Sequence, residues 1–269
     1  MLVASTACKL IITLYMRKRI WIFVVFFFSL LSIKAQYFKL KDISVNMNRQ
    51  DVSTILNESW PIRQDVGNLP NSWGNTFATI KSFGVASEMF VLNKKWTVTP
   101  GISFYNLQSA IMKDDYTRGG HFFLRNDNNS DGLDFIRVKS IEEKSNYLGI
   151  PITLKYTPFT FWNTLSLHAQ LTADLAYQIS SDTSIEFKLP AMQSLERDIL
   201  NTINQQNNPF YASLYASLGM HVKLSKMIYL SLDLVLPEFI RTSNNSSLMS
   251  LQTIGGGKFS IHFPLSITK

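Results

Sequence analysis

Apolar and polar residues alternate with a period of two in one segment after another of this chain. That is the mark of strands, whose successive side chains point to opposite faces. The longest run is 164–180. Leu165, Leu167, Ala169, Leu171, Ala173, Leu175, Tyr177 and Ile179 share one face, and Ser166, His168, Gln170, Thr172, Asp174, Gln178 and Ser180 share the other with Ala176. The same reading predicts strands at 147–156, 211–224, 226–239 and 96–106. Their apolar faces carry Leu148 to Leu154, Leu214 to Leu224, Ile228 to Leu236, and Trp96 to Phe104. At 251–263, Phe259, Ile261 and Phe263 oppose Lys258, Ser260 and His262. At 83–91, Phe83, Val85, Met89 and Val91 oppose Gly84, Ala86 and Glu88, and the shortest run, 43–48, sets Ile43, Val45 and Met47 against Ser44, Asn46 and Asn48. Eight strands result.

The joins between them are short around Asn93, over 158–163 and at Ser225, and long over 49–76, 108–141, 180–208 and 241–250. Tight turns alternating with long loops are the connectivity of a membrane barrel, and strands of about ten residues cross a bilayer at a tilt. A sheet edge in hydrocarbon would leave backbone groups unpaired, so the sheet must close. A barrel of this size holds only side chains inside. The leucine face therefore turns out to lipid, and Ser, Thr, Gln, His, Asp, Glu and Lys line the lumen. Trp96, Tyr156, Phe159, Phe161 and Trp162 fall near the short-turn ends and Tyr177 and Phe239 near the long-loop ends, as interfacial girdles would. The expected fold is all-β: an eight-stranded antiparallel up-and-down transmembrane β-barrel with long external loops and both termini on the periplasmic side.

Composition agrees. Of 269 residues, 46% are hydrophobic, 13% aromatic and only 17% charged, against about 25% charged in soluble domains. The net charge of +7 and pI near 9.4 suggest nucleic acid at first sight. However, Lys9, Arg17, Lys18, Arg19 and Lys34 all lie in the first 35 residues, which hold no Asp or Glu, and the remainder is nearly neutral. Arg17-Lys18-Arg19, the apolar stretch Ile20 to Ile33 and the segment Lys34-Ala35-Gln36 have the three-part layout of a secretory signal. The apolar stretch is shorter than the ~20 residues of a membrane helix. The expected organisation is an untranslated or dispensable extension over 1–15, with Met1 and Met16 both open as the start, a signal peptide over 16–35, and a barrel domain over 36–269. Cys8, the single cysteine, precedes the signal, so no disulfide is expected, and Gln36 stands where a lipoprotein would need Cys.

Residues 146–156 read Asn-Tyr-Leu-Gly-Ile-Pro-Ile-Thr-Leu-Lys-Tyr. This resembles the tyrosine-leucine-x-isoleucine-proline strand of the Bacteroidota outer-membrane β-barrel proteins, the porin-family or PorT-family group. The Ala35-Gln36 junction and the glycine-rich last strand from Ile254 are similar to that group as well. The resemblance runs from about residue 37 to 265. It implies an outer-membrane barrel, usually eight-stranded, and offers no catalytic residues.

Candidate chemistry lies on the polar face. Glu88, Asp174 and Asp233 share it with Lys155, Lys223 and Lys258, which reads either as an ion path or as a structural plug of salt bridges. The plug is the expectation, with Asp233–Lys258 its leading pair. His168, His221 and His262 also point inward and could hold zinc, but hydrogen-bonded lumen histidines are the expected reading. Asp127-x-Asn129-x-Asp131-Gly132 matches the start of a calcium loop, yet Val138 stands where its bidentate carboxylate belongs. No G-x-S-x-G, H-E-x-x-H or phosphate-binding glycine loop occurs, so no catalytic, cofactor or metal residue is expected. Pro190 with Met192, Leu195, Ile199 and Ile203 predicts an amphipathic helix over one loop, serving as a lid, a partner surface or local packing. Trp60-Pro61 and Trp73 would touch a ligand or staple their loop. The expected function is a non-enzymatic integral outer-membrane barrel with a structural, adhesion or binding role through its external loops. A small-solute porin and an accessory part of a protein-export system are the alternatives. The expected partners are outer-membrane lipid and other envelope proteins, with no nucleic acid and a monomeric state.

Overall fold

The computed structural model describes residues 39–57, 60, 62, 75–90, 95–112, 121–126, 134–161, 164–202, 209–236, 241–242 and 246–265. Contacts divide the chain into Met1–Lys39 and Leu40–Lys269, and the barrel belongs to the second unit. The expected extension and signal at 1–35 lie outside the described residues, as do Asp127 to Gly132, Pro61, Trp73, Trp162, Ile203 and Phe239.

Ten strands are present among the described residues. They are β1 (Lys39–Leu56), β2 (Asn75–Phe90), β3 (Trp96–Met112), β4 (Phe122–Asn126), β5 (Asp134–Phe161), β6 (Leu165–Phe187), β7 (Phe210–Lys223), β8 (Tyr229–Val235), β9 (Arg241–Thr242) and β10 (Met249–Pro264). Hydrogen-bonded neighbours run β3-β2-β1-β10-β8-β7-β6-β5, and β3 pairs β5 to close a ring of eight. The closing ladder is long and antiparallel, from Trp96 opposite Tyr156 to Met112 opposite Ser140. Two further strands stand on the loop end: β4 pairs the start of β5, and β9 pairs β7. The turn end is tight. Leu224 N donates to Ile228 O at 3.1 Å, and Thr164 N to Phe161 O at 3.0 Å.

The orientation is the one the alternation predicts. On β8, Leu232 is 60% exposed while Ser231 and Asp233 are 1% and 4% exposed. Leu148, Ile150, Leu171, Leu175, Leu218 and Leu234 are likewise turned outward. Outside water, such a belt removes large apolar areas from contact with solvent at ~25 cal/mol per Å². In water it would be a liability. Interfacial aromatics pair at both levels, Trp96 with Tyr156 at 4.6 Å and Tyr177 with Phe210 at 5.3 Å between ring centroids.

Two features depart from expectation. First, the strands outrun their predicted ends: β5 has 28 residues and β6 has 23, well past the 9–11 that a bilayer needs. Much of the long joins is therefore strand. Their alternation is interrupted by register shifts, between Val138 and Ser140, Asn146 and Tyr147, and Val52 and Thr54. A bulge advances one strand by a residue and exchanges the faces beyond it. On β6, even-numbered residues such as Asp174 and Ala176 face inward below the bulge, and Ile185 and Phe187 face inward above it. Second, the inward face turns largely apolar away from the turn end, although Glu143, Ser109 and Ser246 stay buried there. Above the turn end lies a layer containing Tyr105, Tyr147, Tyr211, Tyr215, Ile80 and Ile254. Higher still is an aliphatic core with Ile111, Leu124, Val138, Ile141, Leu248 and Met249.

A 3-10 turn (Pro190–Leu195) and a short α-helix (α1, Glu196–Thr202) replace the single predicted helix. They cover this core, with Ile199 buried and Met192, Leu195 and Leu200 packed against it. Glu196 Oε1 accepts the Ile185 amide at 2.7 Å, fixing the lid to the rim of β6. Trp60 is a staple: it is buried and its indole donates to Ser247 O at 3.0 Å.

Leu232→Arg, placing a charge in the outward belt, is expected to cost about 2–4 kcal/mol. Urea unfolding of the barrel in lipid vesicles measures it.

Candidate functional site

The polar chamber at the turn end takes its side chains from strands β1, β2, β5, β6, β7, β8 and β10. Its centre is Glu88 on β2, fully buried. Glu88 Oε1 lies 2.6 Å from Lys155 Nζ on β5 and 2.9 Å from Lys41 Nζ on β1. Lys155 is itself buried, so both ammonium groups serve one carboxylate. Glu88 Oε2 has no hydrogen-bond partner in the structure. Lys155 Nζ also lies 3.4 Å from His221 Nε2.

The three histidines form a chain of rings. His168 meets His221 edge-on at 4.9 Å, and His221 meets His262 at 4.5 Å between centroids. Each end of the chain is tied to a carboxylate. His262 Nδ1 is 3.1 Å from Asp42 Oδ1, and His168 Nε2 bonds Asp233 Oδ1. Asp233 also accepts from Gln170 Nε2 at 2.9 Å and Ser231 Oγ at 3.2 Å.

The expected Asp233–Lys258 pair does not form. The two residues stand opposite each other in register on β8 and β10, but the carboxylate is taken from the other side by His168, Gln170 and Ser231. The strand between β6 and β8 explains this. His168 is in register with Gly219 of β7, and Gly219 with Asp233. With no side chain between them, the imidazole and carboxylate meet across β7. A Cβ on Gly219 would collide with Asp233 Oδ1 and His168 Nε2.

The remaining predicted lumen residues are spread out. Asp174 is buried one level up and accepts from Ser213 Oγ at 3.1 Å. Lys258 is half-buried beside a small void. Lys223 stands at the rim, its Nζ 5.8 Å from the centre of the Tyr229 ring. Sequence reasoning passed over Lys41 and Asp42, which sit just before the 43–48 run; extending the inward parity by one step would have reached Asp42. It also passed over Glu143, a buried carboxylate on β5 that accepts from Ser246 Oγ at 2.9 Å, Leu248 N at 3.0 Å and Ser247 N at 3.1 Å. Glu143 thereby pins the 246–248 segment over the loop end.

Among the described residues of the chamber, Ser, His and Asp meet in a different order from a catalytic triad. His168 and Asp233 are paired, but Ser231 donates to the carboxylate and not to the imidazole, and all three are buried. The void inside the chamber is about 10 Å³, roughly the space of one water. Below it, a cavity of about 470 Å³ opens at the turn end, lined by Lys41, Asp42, Ser166, His221, Lys223 and Tyr229 among others.

Glu88→Gln leaves two buried or half-buried ammonium groups without their carboxylate and is expected to cost about 3–5 kcal/mol. Gly219→Ala overpacks the His168–Asp233 row and is expected to cost about 1–3 kcal/mol. Denaturant midpoints in detergent micelles test both.

The chain matches no protein-family model and no curated protein sequence. Among solved structures it is similar to Ail, the attachment invasion locus protein of Yersinia pestis, crystallised with the heparin analogue sucrose octasulfate. Identity is 11% and the TM-score 0.33, over 84% of this chain and 100% of that one. It is also similar to outer membrane protein W of E. coli, at 9% identity and a TM-score of 0.33 over 84% and 99% of the two chains. The outer membrane protease OmpT of Escherichia coli follows at 10% identity and a TM-score of 0.31, over 84% and 96%. Likeness at this level concerns strand architecture alone; the closed ring itself rests on the pairing of β3 with β5.

Proposed function

We propose that this chain is an integral outer-membrane barrel that does not conduct and that works, without catalysis, through the structure at its loop end. One observation carries the reading: above the turn-end cavity, the described part of the lumen is filled with side chains. Ion pairs occupy the turn end, the tyrosine layer the middle, and the aliphatic core the loop end. Each layer stops water in its own way. The ion pairs are tied to the wall, and apolar layers hold no water file.

The same packing supports a binding or adhesion role. Strands that run beyond the bilayer, a lid over Ile199, and loop segments fastened by Glu143 and Trp60 make the loop end a built platform. Rigid elements hold a contact surface more accurately than free loops do. The tyrosine-leucine-x-isoleucine-proline strand at 147–151 supports placing the protein among Bacteroidota envelope barrels, reached through an N-terminal signal at 16–35.

Planar-bilayer recording of the refolded barrel is expected to show no discrete conductance steps. Regular steps that persist across preparations would replace this reading with the small-solute porin.

A further inference from the structure

We propose that Glu88, His221 and His262 form a zinc-binding site at the turn end of the lumen. These residues come from β2, β7 and β10, and one ligand atom from each lies within 4.8 Å of the others. All three are buried. Two imidazoles and a carboxylate are a donor set suited to Zn²⁺, whose three-ligand sites leave a further position open.

A second observation points to the same place. Glu88 is completely buried, and its two oxygens are treated differently. Oε1 accepts both lysines, while Oε2 has no hydrogen-bond partner and lies 3.8 Å from His262 Nδ1. A buried carboxylate oxygen left bare is costly, and a cation between Oε2 and the two rings would satisfy it. Asp42 Oδ1 lies 3.1 Å from the same His262 Nδ1 and stands ready to add a fourth donor. An ion has a way in, because the 470 Å³ cavity at the turn end is lined by both His221 and Asp42. Contraction by up to about 1.5 Å would bring the three donors to the spacing of a tetrahedral zinc site.

Lys155 is the competitor. Its ammonium is 2.6 Å from Glu88 Oε1 and 3.4 Å from His221 Nε2, so it already supplies positive charge to two of the three ligands. The site thus has two cations to choose between: a resident ammonium on Oε1 and a divalent ion on Oε2. The sequence expectation is hydrogen-bonded lumen histidines and no metal; this donor set also differs from three histidines, because His168 is engaged by Asp233 and Glu88 takes its place.

The test uses the folded full-length barrel in detergent, stripped with chelator and titrated with zinc chloride by calorimetry. Metal is counted after gel filtration. A single zinc per chain is expected. His262→Ala should weaken binding by more than about tenfold, Lys155→Met should strengthen it, and His168→Ala should leave it unchanged. Gel mobility before and after boiling shows which variants are folded. If His262→Ala does not fold, cobalt replaces it as the readout on the unaltered chain, and intense tetrahedral visible bands are expected. No stoichiometric zinc on the folded wild type would overturn the proposal. So would zinc that survives loss of His262 in a folded barrel, zinc that falls equally with His168, or an absent tetrahedral cobalt spectrum.

Discussion

Inside a bilayer a strand edge has no water to bond, and each bare backbone group there costs several kcal/mol. The pairing of β3 with β5 removes that cost, because it turns an open sheet into a ring with no edge. Once the ring is closed, every strand has one face toward lipid and one toward a narrow lumen. The outward leucines and inward Ser231, Asp233, His168 and Glu88 follow from that single closure. A polar face locked inside must then satisfy itself, which accounts for the density of bonds around Asp233 and Glu88.

The lumen is graded along its axis. The ion pairs around Glu88 sit at the turn end, where the cavity below brings solvent to the rim. Tyrosines follow, then aliphatic side chains carried up on strands that continue past the bilayer. Glu143 is a separate buried carboxylate at the loop end. An eight-strand ring has a narrow lumen, and side chains of this size occupy its described middle and loop end. The loop end is accordingly an extension of the barrel core with its own packing, sealed by Met192, Leu195 and Ile199 and clasped by the bonds of Glu143 to the 246–248 segment.

The membrane-crossing parts of the strands were legible in the sequence because there one face meets lipid and the other meets polar groups, so the period of two is plain at 164–180 and 211–224. The extensions were not. Above the bilayer the inward face becomes apolar, as at Ile185 and Phe187, while the outward face becomes polar, so the contrast inverts across each bulge and the signal breaks. β1 was cut short for the same reason, since Arg49, Asp51 and Ser53 face outward beyond Met47. Within the candidate site, Glu88, Lys155, His168, His221, Asp233 and His262 share the polar parity and are buried. Parity could not choose their partners. Glu88 meets Lys155 from a strand that is not its neighbour, and His168 reaches Asp233 only because Gly219 leaves the intervening row empty. Partner choice in a narrow barrel is set by what the strand in between omits, and pairing neighbours by register alone misassigned Lys258.

The account stands on lipid as the solvent of the outward face. Refolding the chain from concentrated urea into lipid vesicles and in parallel into buffer alone tests this directly, with far-ultraviolet circular dichroism and gel mobility before and after boiling as readouts. The strand spectrum and the boiling-dependent mobility are expected only where lipid or detergent is present. A monodisperse, strand-rich monomer in plain buffer would contradict the arrangement of leucines outside and charges within.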